Sequence, residues 1–356
     1  MNTPRPTRIP AHTRTGTRRG RSTFLVGAAG LVSAALLLAG CGGSASGNSD
    51  AVKSDGTVDL SKVTLTVGDQ KGTSAQALLK AAGLDQTTYK IDWKEFTSGP
   101  PLLEAVNAGA VDVGMVGNTP PIFAAAAKGQ FKMVQAVTYT GKGDVILVPK
   151  GSPLKSVADL KGKKVAVAEG SSANYNLLAQ LEKAGLSYKD VSVQNLQPAD
   201  ALAAFTSGSL DAWAVWDPYT SQAIHDDGAR VLADGDGLVN GYNFQVASDK
   251  AIGDKATKAA LDDYLGRISK AQLWSSTHQQ EWAKVWAEQT GLTPAVTLAA
   301  AKHRPPTIIA IDQKVIDSEQ EMADTFSANG LLPGKVNVSD YFSDAFNKTT
   351  TSQTAG

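Results

Sequence analysis

The sequence has very little cysteine and histidine. Its single cysteine, Cys41, excludes an intramolecular disulfide. Its four histidines lack the close spacing that metal sites use, and neither a GxSxG turn nor a phosphate-binding P-loop is present. We therefore expect no catalytic residue, no metal and no cofactor, and the sequence argues against an enzyme. The histidines are His12, His225, His278 and His303.

The chain also lacks a surplus of positive charge. Its 356 residues carry 34 basic and 34 acidic side chains. Six arginines lie within residues 1–22, so residues 41–356 hold 28 basic and 34 acidic residues, a formal charge of −6. A net negative protein of this kind is not expected to bind nucleic acid. Any anion that it binds must be held by local geometry.

Residues 1–40 have the layout of an export signal, with an arginine-rich stretch before an uncharged, mostly apolar run at 24–40. That run is short for a membrane span. It ends in Leu38-Ala39-Gly40-Cys41, and the segment resembles a bacterial lipoprotein signal in which Cys41 is lipidated. The resemblance implies a protein anchored by lipid to the extracytoplasmic face of the cell membrane. General and twin-arginine export both remain open.

Two other segments are too poor in large apolar residues to belong to a core. We expect residues 41–58, rich in Gly, Ser and Asp, to form a flexible tether. The polar Thr/Ser stretch 347–356 is expected to be a disordered tail. The remaining residues 59–346 suffice for two lobes without disulfide support.

Strand-like and helix-like runs alternate along most of this region. An isolated strand-like run at 242–247 is then followed by helix-like runs only. Alternation of this kind predicts parallel sheets covered by helices. We therefore predict an α/β fold in which lobe two, residues 148–245, is inserted into lobe one, residues 59–147 plus 246–346. Two chain crossings between lobes would form a hinge and a cleft.

Several predicted strands end in short polar loops that open a helix. Two of these loops, 97–101 and 117–121, end in Pro-Pro, which suits the first helical positions. Helix starts leave backbone N–H groups unpaired and carry a partial positive charge, and strand ends of an α/β sheet meet at one edge. We therefore predict a small-anion site there, with candidate ligand-binding residues Gln70, Ser98, Gly99, Asn118, Thr119, Gly170, Ser171, Ser172, Trp216 and Asp217.

Each of these polar residues, taken singly, also fits an ordinary helix N-cap, and Asp217 before Pro218 fits one best. Trp213 and Trp216 have odd spacing on a strand, so one of them is expected to line the cleft. Trp274, Trp282 and Trp286 are assigned to packing, and the three lie outside the candidate site. A sulfonate, which stays ionised and only accepts hydrogen bonds, suits a site of N–H and O–H donors, but nitrate and sulfate share that preference.

Seven motifs within residues 62–330 resemble the aliphatic-sulfonate-binding proteins of ABC importers, in the sulfonate/nitrate/taurine family of binding proteins. The motifs are FTSGPPLLEA at 96–105, NAGAVDVG at 107–114, GNTPPIFA at 117–124, DLKGKKVA at 159–166, GSS at 170–172, QPAD at 197–200 and DAWAVWDP at 211–218.

The resemblance implies a type II periplasmic-binding-protein fold whose lobes close on the ligand. It implies a monomer that serves sulfur acquisition by passing a small sulfonate to ABC permease subunits and their ATPase. The anionic head would meet the loops at Ser98-Gly99, Asn118-Thr119 and 170–172. Asn118 departs from the acidic residue expected at that loop, and Asp217 could pair with an amino group, which would favour taurine. Same-fold receptors for taurine, nitrate, a sulfate ester or a thiamine-pyrimidine precursor stay open, as does an enzyme of this fold.

Overall fold

The computed structural model describes residues 48–354, which form two lobes, each built on one mixed β-sheet. Its strands are β1 (Thr64–Gln70), β2 (Lys90–Phe96), β3 (Val113–Gly117), β4 (Phe131–Thr138), β5 (Asp144–Val148), β6 (Lys164–Val167), β7 (Ser192–Asn195), β8 (Ala212–Trp216), β9 (Arg230–Asp234), β10 (Tyr242–Ser248) and β11 (Thr307–Ile309). The sheet of lobe one has the order β11-β4-β10-β3-β1-β2, and that of lobe two has the order β7-β6-β8-β5-β9.

Helices pack against both sheets. They are α1 (Ala75–Ala81), α2 (Gly99–Asn107), α3 (Thr119–Ala126), α4 (Ser172–Lys183), α5 (Pro198–Thr206), α6 (Tyr219–Asp227), α7 (Asp249–Gly253), α8 (Lys255–Thr277), α9 (Gln279–Thr290), α10 (Pro294–His303), α11 (Gln313–Ala328) and α12 (Asn347–Thr351). Within residues 48–354, every helix is too short or too polar to span a membrane.

The sheets are mixed, which corrects the prediction of parallel sheets. Strands β1, β2 and β3 are parallel, as are β6, β7 and β8, but β10 runs antiparallel to β3 and β4, and β5 runs antiparallel to β8 and β9. The reason is the chain path: β5 and β10 each follow a crossing between lobes. They therefore begin at the cleft edge, where the parallel strands end. The short strand β11, which also runs antiparallel, was missed because only helices were expected after β10.

The lobe boundaries also differ from those predicted. Strand β5 belongs wholly to lobe two and β10 wholly to lobe one, so the crossings lie at about residues 139–143 and 235–241 and not at 147/148 and 245/246. The crossings run side by side, and Gly235 N donates to Gly141 O over 3.2 Å. A Cβ on Gly141 would collide with the Gly235 carbonyl, so this close approach requires glycine.

Both ends expected to be flexible contain ordered structure. Residues Asn48–Ala51 form a 3₁₀ turn, and the Asn48 side chain exchanges two 3.0 Å hydrogen bonds with the backbone of Thr64 at the start of β1. At the other end, α12 forms because Asn347 hydrogen-bonds the backbone of Ile311 and Thr350 is buried. The tether and tail predictions are therefore wrong for residues 48–58 and 347–354. The predicted signal, Cys41, residues 42–47 and residues 355–356 lie outside the described residues.

Helix α2 packs directly on lobe one through glycines in two neighbouring strands. Leu102 is fully buried over Gly68 of β1 and Gly114 of β3. A Cβ built on Gly114 would lie 2.7 Å from Leu102 Cδ2 and 2.9 Å from the Gly68 carbonyl oxygen. This close packing brings the start of α2, and with it Gly99, to the cleft edge of the sheet.

We expect Gly114→Ala to lower the free energy of unfolding by about 1–3 kcal/mol, because the added methyl group overpacks a site where one neighbour is backbone. Gly253→Ala is the matched control, since nothing lies within 4 Å of its Cβ position. The control should be neutral or slightly stabilising. Urea unfolding followed by circular dichroism measures both, and equal midpoints for the two variants would contradict this account of the α2 contact.

Candidate functional site

A cavity lies between the two lobes at the cleft edge, and residues of both lobes line it. We call it the head cavity. Lobe two lines it with Ser171, Ser172 and Trp216, and lobe one lines it with Gln70, Gly72, Thr73, Gly99, Gly117, Pro120, Asn243 and Arg304. No aspartate or glutamate is among these lining residues.

Half of the predicted site residues line the head cavity. They are Gln70, Gly99, Ser171, Ser172 and Trp216. Of the two tryptophans on β8, Trp216 lines the cavity, whereas Trp213 packs in the core of lobe two. The sequence missed six lining residues, which are Gly72, Thr73, Gly117, Pro120, Asn243 and Arg304.

The other predicted residues are engaged inside the protein and do not line this cavity. Ser98 Oγ donates to Gln197 Oε1 of lobe two over 2.7 Å. Asn118 Nδ2 donates to Asn240 Oδ1 of the second crossing over 2.7 Å, and Thr119 Oγ1 donates to Asn118 Oδ1. These side chains thus connect the loops to lobe two and to the hinge. Gly170 and Asp217 are the other two predicted residues that do not line the head cavity.

The hydroxyl protons in the cavity wall are already used. Ser171 Oγ donates to a backbone carbonyl over 2.6 Å, Ser172 Oγ donates to Asp144 Oδ1 over 2.8 Å, and Thr73 Oγ1 donates to Asp69 Oδ1 over 2.9 Å. The serine hydroxyls expected as ligand donors therefore serve to organise their own loops in this structure. Free donors must come from other groups.

The Pro-Pro pairs also reduce the number of free backbone donors. Helix α2 begins Gly99-Pro100-Pro101 and α3 begins Thr119-Pro120-Pro121. Each pair removes two of the N–H groups that a helix start normally leaves unpaired. The starts of α2 and α3 therefore offer fewer backbone N–H donors to an anion than the sequence analysis predicted. Helix α4, which begins at Ser172, keeps its first amides.

Arg304 supplies the positive charge that the helix starts lack. It follows α10 directly, and no carboxylate oxygen lies within 4.0 Å of its nitrogen atoms among residues 48–354. Its Nη1 and Nη2 atoms lie 3.4 Å from Asp217 O and from Asn243 Oδ1, which are long contacts. Its guanidinium carbon lies 4.6 Å from the centre of the Tyr139 ring, a cation–π distance. The guanidinium is thus held in place without a salt bridge, although it interacts electrostatically with Asp144.

Two signals in the sequence pointed to Arg304. Only three arginines follow residue 40, namely Arg230, Arg267 and Arg304. Arg304 stands directly before Pro305-Pro306, the same punctuation that marks the openings of α2 and α3. The strand–loop–helix pattern did not identify Arg304, because this arginine follows a helix that no strand precedes.

Two further donors face the head cavity without a partner among residues 48–354. The Trp216 indole N–H has no hydrogen-bond acceptor there, and a Cβ on Gly72 would lie 3.0 Å from its Nε1 atom. The amide nitrogen of Asn243 also lacks an acceptor, although its oxygen lies near Arg304. Donors therefore come from both lobes: Trp216 from lobe two, and Asn243 and Arg304 from lobe one.

Asp217 is fully buried and its carboxylate is occupied on both oxygens. Oδ1 accepts from Ser221 N over 3.0 Å and from Ser221 Oγ over 2.6 Å, which ties Asp217 to the first turn of α6 from the position before its N-cap, Pro218. Oδ2 lies 2.9 Å from His303 Nδ1 of lobe one. Because Asp217 is fully buried and does not line the head cavity, the suggestion that it pairs with an amino group and favours taurine is not supported.

The pair of His303 and Asp217 joins the two lobes. The hydrogen bond and the charge of Asp217 raise the pKa of His303, whereas partial burial and Lys142 oppose that shift. Arg304 is a second cation near Asp217, because its Nη1 atom lies 3.4 Å from the Asp217 carbonyl oxygen. Further contacts across the cleft are the Lys71 ammonium 4.9 Å from the centre of the Tyr219 ring and the bond from Asn329 Nδ2 to Glu182 Oε1. The described conformation is thus one in which the lobes touch on both sides of the cavity.

A histidine whose pKa is raised by folding stabilises the fold fully below its unfolded pKa of about 6.5, and this contribution is lost as pH rises through the raised value. We expect the difference in unfolding free energy between wild type and His303→Gln to be largest at acidic pH and to shrink above neutrality. Urea unfolding at a series of pH values measures it. His225→Gln, at an exposed position, is the control, and a difference independent of pH for His303→Gln would refute the ionic role.

Two α/β lobes joined by paired crossings, with donors from both lobes around one cavity, define a two-lobed solute-binding protein. The chain belongs to the NMT1-like family, whose profile matches residues 57–241. An Escherichia coli (strain K12) protein named for binding aliphatic sulfonates is 40% identical over 284 residues, 79% of this chain and 88% of its own length. A Bacillus subtilis (strain 168) protein named likewise is 32% identical over 325 residues, 89% of this chain and 94% of its own length.

A solved structure agrees with this assignment. The alkanesulfonate-binding protein of Xanthomonas axonopodis pv. citri bound to MOPS is 39% identical, with a TM-score of 0.74 over 79% of this chain and 98% of that one. The type II periplasmic-binding-protein fold predicted from the motifs is thereby confirmed. Within residues 48–354, no group of three or more His, Cys, Asp or Glu side chains is placed to hold a metal ion.

Proposed function

We propose that this protein captures a small organosulfonate outside the cell membrane and delivers it, as a monomer, to ABC permease subunits and their ATPase. It performs no chemical reaction on the ligand. The observation that carries the proposal is the unpaired Arg304 in a head cavity that no carboxylate lines. The names of the relatives supply the ligand class.

The free groups of the cavity match the chemistry of a sulfonate head. A sulfonate carries one permanent charge on three oxygens that only accept hydrogen bonds. The Arg304 guanidinium, the Trp216 indole and the Asn243 amide can each donate to it, and the amides at the start of α4 add backbone donors. A charge-assisted bond to arginine is the strongest of these.

Binding and lobe closure follow from the same donors. Trp216 and α4 belong to lobe two, whereas Arg304 and Asn243 belong to lobe one, so a head group can reach all of them only when the lobes are together. A ligand that contacts both lobes favours the closed state by its differential affinity for it. The permease would then distinguish loaded from empty protein by the closed shape.

Taurine, nitrate and sulfate each differ chemically from a plain alkanesulfonate. Taurine carries an ammonium group, and with Asp217 occupied and no acid in the wall that group would be buried without a partner. Nitrate and sulfate offer the same acceptors but no tail.

A thermal-shift panel of methanesulfonate, longer alkanesulfonates, taurine, nitrate and sulfate compares these ligands, because a ligand at one hundred times its Kd adds about 2.7 kcal/mol of apparent stability.

We expect Arg304→Gln to weaken methanesulfonate binding about 10- to 150-fold, because hydrogen bonds to charged groups contribute about 1.5–3 kcal/mol. Lys302→Gln removes the same charge at an exposed position two residues away and should change affinity little. Isothermal titration calorimetry measures both, and circular dichroism checks folding. Equal losses in the two variants would show that general charge, and not the placed guanidinium, attracts the ligand.

We also propose that Cys41 carries the lipid anchor. Cys41→Ser should move the protein from the membrane fraction to the soluble fraction of a bacterial host, because no thiol remains to be acylated. Fractionation followed by immunoblotting, with metabolic labelling by a radioactive fatty acid, tests this. Retention of the serine variant in the membrane would contradict lipid anchoring while leaving ligand capture untouched.

A further inference from the structure

Helix α11 carries a glutamate that is fully buried and has a single hydrogen-bond partner. Glu319 Oε1 accepts from Asn240 Nδ2 over 2.8 Å, whereas Glu319 Oε2 has no partner among residues 48–354. No lysine, arginine or histidine of that range forms an ion pair with it. Burial disfavours the charged form and raises the pKa of Glu319 to about 8, although the bond from Asn240 opposes the shift. The side chain is therefore mostly a neutral acid at pH 7 in this conformation.

Asn240 connects this acid to the hinge and to a loop beside the head cavity. It lies on the second crossing between the lobes, and its Oδ1 atom accepts from Asn118 Nδ2 over 2.7 Å and from Tyr242 N over 3.1 Å. Asn118 directly follows Gly117, which lines the head cavity. A chain of three side chains thus runs from the interior of lobe one through the crossing to the edge of the ligand site.

Lobe two packs against the same helix. The Tyr175 ring of α4 lies 5.8 Å from the Phe326 ring of α11, and Asn329 Nδ2 donates to Glu182 Oε1 over 2.8 Å. Leu178 of α4 is fully buried in the same apolar cluster as Phe326. Because these contacts join the two lobes, an opening of the cleft separates them, admits water to this side of α11 and bends the adjoining crossing.

The titratable groups around Glu319 are phenols and acids. Tyr175 on α4 and Tyr242 on β10 face it, and burial raises the pKa of both phenols, which nearby acids raise further. Helix α3, which also packs on α11, has no charged residue. The charged residue of the 3₁₀ turn after α11 is Asp340, and that of the crossing is Asp236. Apart from its one hydrogen bond, Glu319 therefore has no neighbour that favours its charged form.

We propose that Glu319 is a positioning residue for ligand capture, which as a neutral acid holds the second crossing in its closed shape, so that capture takes up a proton and ligand affinity falls as pH rises. This inference rests on the proposed function, since it takes closure to accompany ligand binding. In an open cleft, Glu319 has access to water, where a glutamate ionises above about pH 4.3. Closure must then return the proton, which costs more at each higher pH until the closed-state pKa of about 8 is passed.

The first test is isothermal titration calorimetry of methanesulfonate at pH 7 in buffers of different ionisation enthalpy. Methanesulfonate stays ionised, so the dependence of the measured heat on the buffer gives the protons that the protein takes up. Glu319→Gln should take up about one proton fewer per ligand than wild type, because the amide keeps the bond from Asn240 but does not titrate. Uptake that remains in the variant belongs to other groups, such as His303. An uptake near zero in wild type would overturn the inference.

The second test is the pH profile of affinity. Between pH 6 and pH 8, the Kd of wild type should rise about tenfold or more beyond the rise that Glu319→Gln shows. Glu321→Gln removes a carboxylate at an exposed position of the same helix, and this matched control should keep the wild-type profile. A residue with a purely structural role would change affinity equally at every pH, so parallel profiles for wild type and Glu319→Gln would contradict the proposal.

The outcomes separate this inference from the proposed function. If methanesulfonate binds at no pH, the proposed function fails and the inference fails with it. If it binds with the same proton uptake in wild type and variant, the function stands and Glu319 does not couple closure to a proton. Circular dichroism checks folding, and Glu319→Met, which fills similar space without a titrating group, replaces the glutamine variant if that one does not fold.

Discussion

The guanidinium of Arg304 is held where the two lobes meet. Its neighbours are the Asp217 carbonyl of lobe two and the Asn243 amide and Tyr139 ring of lobe one, which orient it without forming a salt bridge. Gly143 lies against its side chain, where a Cβ would come within 2.8 Å of Arg304 Cδ. A partly buried cation without a salt bridge favours an anionic ligand, and the head cavity, which Arg304 lines, offers space for one. The closed arrangement of the lobes therefore suits an anionic ligand.

The acids near the cleft are occupied by hydrogen bonds within the protein and do not line the head cavity. Asp69 accepts four hydrogen bonds from the loop between β1 and α1, Asp144 accepts one from Ser172, and Asp217 holds α6 and His303. Burial raises the pKa of Asp69 and Asp144. These carboxylates organise the loops from behind and leave donors and one cation on the ligand side. A protein with a net negative charge can thus present a locally positive site.

The head cavity supplies direction through a few donors drawn from both lobes. The stacked indoles of Trp282 and Trp286 belong to the core of lobe one, and they line a neighbouring pocket that shares Gly72, Thr73 and Arg304 with the head cavity.

The sequence by itself determined the alternation of strands and helices, the inserted second lobe, and five of the eleven residues that line the head cavity. These depend on local patterns: periodicity, Pro-Pro openings and glycine loops. Only the tertiary structure decided which donors remain free, because Ser98, Ser171 and Ser172 find partners far away in the chain or in their own turns. It also decided the reversed direction of β5 and β10, the ordered ends, and the place of Arg304. That arginine reaches the cleft only because α10 packs on both α9 and α6, a contact between segments about 80 residues apart that no local pattern encodes.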